Sequence, residues 1–296
     1  MGQVEQALRE QGAGHGELLA GDASATLEAG GKRLRPMLVL LCAGEEAGAE
    51  AVRAATAIEL IHMATLVHDD VLDAAPLRRG RPTVAATSGR ERATATGDLL
   101  FSRAFALLAD AGDERAIELL SGASVALARG ELAQRQDAYD TSIGERRYLE
   151  RCRLKTAALF ECACLLGRDE PALGAFGASI GLAFQLLDDV LDVAGPPERT
   201  GKARGTDLLD GTVTLPLILA AGKDEAIRDA DLRDLDAAGA ERLCARIEAT
   251  GALRLVRSQA LEMVAEGKRS LTGPGFDAER RRLFDLLADG VVQRYS

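Results

Sequence analysis

Two acidic runs carry the residues whose type and spacing could do chemistry. The first is Leu66-Val67-His68-Asp69-Asp70-Val71-Leu72-Asp73, the second Phe184-Gln185-Leu186-Leu187-Asp188-Asp189-Val190-Leu191-Asp192. On a helix Asp69 and Asp73, four apart, project from one face with Asp70 beside them. A lone DDxxD run is most often a solvated helix face. The flanks argue against that here. Ile61, Leu66, Val67, Val71 and Leu72 bracket the first run, and Leu182, Phe184, Leu186, Leu187, Val190 and Leu191 the second. Carboxylates among that much apolar surface need partners, because unpaired buried charge is very costly. Two such helices could face each other across a cavity. The ions suited to carboxylate oxygens are hard divalent cations, above all magnesium.

Basic groups stand nearby in sequence. Gly30-Gly31-Lys32-Arg33-Leu34-Arg35-Pro36 reads as a turn entering a helix. Its glycines let backbone approach a ligand, Pro36 suits a first helical turn, and helix N–H groups there favour anions. Pro76-Leu77-Arg78-Arg79-Gly80-Arg81-Pro82-Thr83 puts three arginines just after the first acidic run, and arginine forks match phosphate oxygens. His62, seven before Asp69, shares the acidic face, whereas His68 reads as a core residue. Lysine occurs only at positions 32, 155, 202, 223 and 268. Lys155-Thr156 lies in a helical stretch, and Lys202 lies in a Gly-rich charged loop, Arg199 to Asp210, that is a candidate lid.

The elements that must position these groups read as helices throughout. Hydrophobic residues make up 47% of the 296 residues, aromatics only 3%, and there is no Trp. Expected helices cover residues 3–30 with breaks at Gly12–Gly16 and Gly21, about Ala49–Asp73, Gly97–Leu108, Glu114–Asp137, 143–167 and Pro171–Val193. Four or five shorter ones follow Thr212. Strand-like alternation is absent, which predicts one all-α bundle over residues 1–296 with no linker. The net charge of −10 argues against a nucleic-acid partner, so an anionic substrate must be met by a local basic cluster. Cys42, Cys152, Cys162, Cys164 and Cys244 form no CxxC pair and read as buried free thiols in a reducing compartment. With no secretory signal in Met1–Ala20 and no run near ~18 apolar residues, a soluble cytoplasmic protein is expected.

In chain order, GGKRLRP, HDDVLD, LRRGRPT, GDLLFSRA, KT, FQLLDDVLD, GK and TLP resemble the trans-prenyl (polyprenyl) diphosphate synthase family over nearly the whole chain. The resemblance implies a single-domain helical bundle around a deep central cavity, usually a homodimer. Such an enzyme condenses isopentenyl diphosphate with an allylic diphosphate to give an all-trans polyprenyl diphosphate. It implies that Asp69 and Asp73 bind magnesium ions, three to a site, with Asp70 in support and Asp188 completing the set from the other acidic helix. Lys32, Arg35, His62 and Arg79 would hold the diphosphate of isopentenyl diphosphate. Arg78, Lys155 and Lys202 would hold that of the allylic co-substrate, and Thr156 and Gln185 would lie near the developing carbocation. One position departs from the pattern: Thr212 stands where the family often has a lysine before TLP.

A helical turn rises ~5.4 Å, close to one extended isoprene unit. In this family bulky residues just before the first acidic run stop the product early. Here Ala64 and Thr65 are small, which moves the expected floor to Leu60, Ile61, Phe101 and Phe105. The expected product is then longer than about twenty carbons, roughly twenty-five to fifty, counting about one unit per turn. A product that long implies transient membrane contact at release. The alternatives are a synthase of shorter product (geranylgeranyl or farnesyl diphosphate), one subunit of a heteromeric synthase, and a terpene cyclase. Few aromatics argue against the last, since cyclases steer cations with aromatic walls.

Overall fold

The computed structural model describes residues 1–13, 16–28, 30–78, 80–195, 204–272 and 276–293. Its N-terminal elements are α1 (Gly2–Gly12), α2 (Glu17–Glu28), α3 (Leu34–Ala43), α4 (Ala49–Leu72), α5 (Val84–Ser88) and α6 (Arg90–Ala109). Then come α7 (Glu114–Gln136), α8 (Glu145–Cys152), a π-helical turn over Arg153–Ala157, α9 (Ala158–Gly167) and α10 (Pro171–Ala194). Shorter helices follow at Thr206–Leu209, Leu215–Ala221, Glu225–Arg228, Ala237–Ala249, Ala252–Ser270 and Ala278–Gln293. Among the described residues the only strands are two-residue partners in a small hairpin, β1 (Leu77–Arg78) and β2 (Arg81–Pro82), with Leu77 opposite Pro82 and Arg78 opposite Arg81.

The described residues group into two compact units interleaved along the chain. One comprises Met1–Ser124 with Cys162–Leu173, the other Val125–Glu161 with Gly174–Ser296. The first is built on α4. That helix buries residues all round its circumference, from Ala51 and Ile58 to Met63 and Val71, as a helix without a polar stripe must. It packs along α6, α3 and α1. Gly167 lets the end of α9 lie on α3, since a Cβ there would meet the Val39 carbonyl oxygen at 2.3 Å. Arg33 opens α3 in the left-handed region, at φ 48°. It is buried, donating to Glu5 and Glu59, each at 2.8 Å, and to the Leu27 carbonyl.

The second unit contains aromatic pairs. Phe160 and Phe184 stand with ring centroids 5.5 Å apart, and Phe176 meets Phe284 edge-on at 5.1 Å. Gly181 sits under the π turn, where a Cβ would lie 2.7 Å from Ala157 Cα.

Four sequence expectations are corrected. Gly21 lies inside α2 rather than breaking it. Gly97 is a buried interior residue of α6, which starts seven residues earlier at Arg90. The stretch 143–167 is not one helix, because the π turn interrupts it. Finally, α10 is long and apolar enough to qualify as a membrane span by composition, with a mean hydropathy of 1.2 over its best window. Two thirds of that window (67%) is buried within the protein, which identifies a core helix. All five cysteines are buried thiols outside any disulfide.

Candidate active site

The last turn of α4 carries the first acidic run. Asp73 caps that turn, its N–H donating to the Asp69 carbonyl at 2.8 Å. Asp69 is half-buried and Asp73 exposed, whereas Asp70 is buried. The difference follows from helical spacing: Asp70 is rotated ~100° from Asp69 and turns to the hairpin, where Arg78 Nε donates to its Oδ1 at 2.7 Å. Arg78, expected at a substrate diphosphate, thus gives its Nε to Asp70. A cavity of about 330 Å³ opens beside this pair, with apolar walls from Met63, Leu66 and Val67. Leu60, Ile61 and Ala64, expected to line or floor a product path, have no exposed surface at all. Phe101 and Phe105 are half-buried, with centroids 5.5 Å apart.

Lys32 is exposed beside the start of α3. Arg35, in the first turn of that helix, is half-buried. Burial lowers its pKa to about 10 against the pull of the Glu59 charge, which leaves it cationic at neutral pH. His62 is half-buried, and its carbonyl accepts from the Thr65 hydroxyl at 2.7 Å. Arg79 and Lys202 lie outside the described residues. His68 is not a core residue: it is half-exposed, with Nε2 3.2 Å from Asp98 Oδ1.

The second acidic run is built differently. Asp188 is exposed, but Asp189 is buried and anchors a polar chain. Tyr148 donates its hydroxyl to Asp189 Oδ2 at 2.6 Å, Gln185 donates Nε2 to Asp189 Oδ1 at 2.7 Å, and Thr156 donates its hydroxyl to Gln185 Oε1 at 2.7 Å. Burial, reinforced by the Asp207 charge, raises the Asp189 carboxyl well above the usual range, while the bonds from Tyr148 and Gln185 oppose that. The third carboxylate, Asp192, accepts the Asp207 N–H at 3.2 Å and so ties the short helix Thr206–Leu209 to α10. Thr212 donates its N–H to the Asp207 carbonyl. Burial pushes the Cys152 thiol up to about 12.

The π turn presents Lys155 and Thr156. Such turns are rare and concentrate at functional sites. Gly130 of α7 makes room for it, since a Cβ there would lie 2.6 Å from Lys155 N. Lys155 reaches Glu131 at 2.5 Å and Gln134 at 3.2 Å. Burial tends to raise Glu131, but the charge and hydrogen bond of Lys155 outweigh it and hold the carboxyl below its ordinary value. Sequence reasoning had Thr156 and Gln185 but missed Tyr148, Asp189 and Glu131. The signals were present for two of them: Asp189 is four residues from Gln185, and Glu131 adjoins a helical glycine. Tyr148 lies 41 residues from Asp189 and gives no local sign.

Among the described residues no group of three His, Cys, Asp or Glu donors is assembled. The oxygen donors on the last turn of α4, the half-buried Asp69 and the exposed Asp73, are of the kind that hard divalent cations take, one or two carboxylates completed by water and substrate phosphates.

A family model described as Polyprenyl synthetase matches residues 17–242. The chain is 45% identical over 214 residues to a heptaprenyl diphosphate synthase component 2 from Geobacillus stearothermophilus, covering 69% of this chain and 67% of that one. A decaprenyl diphosphate synthase structure from Rhodobacter capsulatus superposes with a TM-score of 0.91 at 36% identity, covering 100% and 96% of the two chains. A polyprenyl synthase from Caulobacter crescentus, complexed with calcium and isoprenyl diphosphate, gives 0.93 at 34% identity, covering 100% and 95%. With its all-α fold, its two acidic runs and these relatives, the chain belongs to the polyprenyl synthetase family, the trans-prenyl diphosphate synthases, and is a prenyltransferase of isoprenoid biosynthesis.

Proposed function

We propose that this prenyltransferase condenses isopentenyl diphosphate with an allylic diphosphate, with magnesium held by Asp69, Asp73 and Asp188, to give an all-trans product of roughly twenty-five to fifty carbons, counting about one isoprene unit per helical turn. The observation that carries the proposal is the division of labour on α4. Asp70 is turned onto Arg78 at 2.7 Å, while Asp69 and Asp73 keep the surface an ion and its phosphate ligands need. Bound magnesium supplies neutralisation of the charge that grows on the departing diphosphate.

The chain's own residues do the rest. Lys32, Arg35, His62 and Arg79 hold the diphosphate of isopentenyl diphosphate. Arg78, Lys155 and Lys202 hold the allylic diphosphate. Thr156 commits its proton to Gln185, which leaves the hydroxyl's lone pairs for a developing allylic cation, a preorganised dipole of the kind that stabilises charge at no cost in reorganisation. The isopentenyl double bond then attacks, and the departing diphosphate takes the proton lost. The working form is a cytoplasmic homodimer that touches a membrane when product leaves.

The test is purified protein with magnesium, labelled isopentenyl diphosphate and primers of several lengths, with products sized by mass spectrometry. Products longer than twenty carbons support the proposal, and a fifteen-carbon end product overturns the length assignment. A second reading is favoured by one finding, the relative named as component 2 of a synthase. On that reading the chain is inactive alone and active once a partner subunit is added.

A further inference from the structure

His68 is the residue of the first acidic run that the reaction described above leaves without a task. It sits on α4 immediately before Asp69, and its Nε2 lies 3.2 Å from Asp98 Oδ1 and 3.4 Å from the Thr94 carbonyl oxygen of α6. Both neighbours are acceptors, so they favour the tautomer with its proton on Nε2, with the Thr94 carbonyl as hydrogen-bond partner and the Asp98 carboxylate at ion-pair distance. Gly97, between them, has no side chain to stand in the way: a Cβ there would lie 2.3 Å from His68 Nε2 and 2.5 Å from Cδ2. That is far inside contact distance, and Gly97 is an interior helical glycine, a residue that costs about 1 kcal/mol against alanine. Its presence is explained by the imidazole that fills its place. The Gly97-Asp98 pair, with the Thr94 carbonyl, is a socket cut into α6 for one ring of α4.

The socket bears on Asp69. The final turn of a helix has no following turn to hold it and frays first. On α4 that turn is tied laterally on both sides of Asp69, by His68 to α6 and by Asp70 to Arg78 of the hairpin. In a helix successive side chains are rotated by a fixed angle, so fixing residues 68 and 70 fixes where 69 points, and with it Asp73 one turn on. We propose that His68 is a positioning residue, and that its socket on α6 sets the rotation of the last turn of α4 and thereby aims the Asp69 and Asp73 carboxylates at a divalent cation. The inference rests on the reading of Asp69 and Asp73 as metal ligands.

The experiment is a titration of Mn²⁺ into full-length protein with inorganic pyrophosphate present, following free Mn²⁺ by electron paramagnetic resonance. His68→Ala is expected to weaken Mn²⁺ binding by about tenfold, the scale on which supports of a ligand act, and to raise the magnesium needed for half-maximal turnover in step. His68→Gln, which keeps a donor on the α6 side, should recover most of the loss. Gly97→Ala should reproduce His68→Ala by evicting the ring. The Gly97→Ala, His68→Ala double variant should then be no worse than His68→Ala, since the two act on one contact. Asp98→Ala, at an exposed position, provides the same test in a variant with little risk to folding.

If folded His68→Ala and Asp98→Ala bind Mn²⁺ within twofold of the parent while Asp69→Ala loses binding, the socket is mere packing and the inference fails with the metal reading intact. If Asp69→Ala also binds normally, both fail.

Discussion

Arg33 and its neighbours show how residues of one type separate into different tasks. The run Lys32-Arg33-Leu34-Arg35 puts three cations at a helix start, of which Lys32 and Arg35 are the candidates for phosphate. The structure commits Arg33 to the protein instead. It is 7% exposed, paired with Glu59 at 2.8 Å, and Glu59 is only 2% exposed. Nothing local in the sequence could reveal this, because Glu5 and Glu59 lie 28 and 26 residues away. Removing one partner of a buried pair leaves the other charge stranded, at a cost of about 3–5 kcal/mol. Arg33→Ala should therefore lower the free energy of unfolding in urea by that amount. A loss under about 1 kcal/mol, the value typical of surface pairs, would show that Glu59 finds another partner. The same lesson holds for Asp188 and Asp189. Adjacent and identical in type, they separate into an exposed carboxylate and a buried one because consecutive helical positions cannot share a face.

At the scale of elements, helix type was legible and helix irregularity was not. The interior of α4 was plain from its apolar run. The π turn at Arg153–Ala157 was hidden, since an extra residue per turn leaves no mark on composition. Its trace in sequence is Gly130, on another helix. Gly130→Ala would drive a methyl against the Lys155 backbone, and overpacking of that kind costs about 1–3 kcal/mol. Chemical denaturation should show that loss, together with reduced affinity for the allylic substrate as Lys155 and Thr156 shift. Unchanged stability would mean the turn relaxes to a regular helix. Ala64 makes a related point. Sequence reasoning took it as a small residue beside a product path, yet it has no exposed surface. Ala64→Phe should therefore do two things, shorten the product and destabilise the fold by about 1–3 kcal/mol. Mass spectrometry and thermal melting measured on the same sample separate them, and a shortened product with no stability loss would contradict the packing described here.

For the whole molecule, alanine- and leucine-rich composition with almost no aromatics predicts an all-helical protein, and that is what forms. The interleaving of two compact units was not legible. The chain passes between them within α7, α9 and α10, so no linker composition marks a boundary. The overall charge of −10 repels a diphosphate, which makes bound divalent cations and local basic groups the conditions of catalysis rather than refinements of it. The most direct measurement is steady-state turnover of isopentenyl diphosphate with an allylic primer, for the parent with and without EDTA and for Asp69→Ala and Asp188→Ala in saturating magnesium. Chelation should abolish turnover, and each variant should fall by at least about 10²–10³-fold, the scale for losing one key electrostatic group. Turnover near the parental rate in either variant, or in EDTA, would contradict the account.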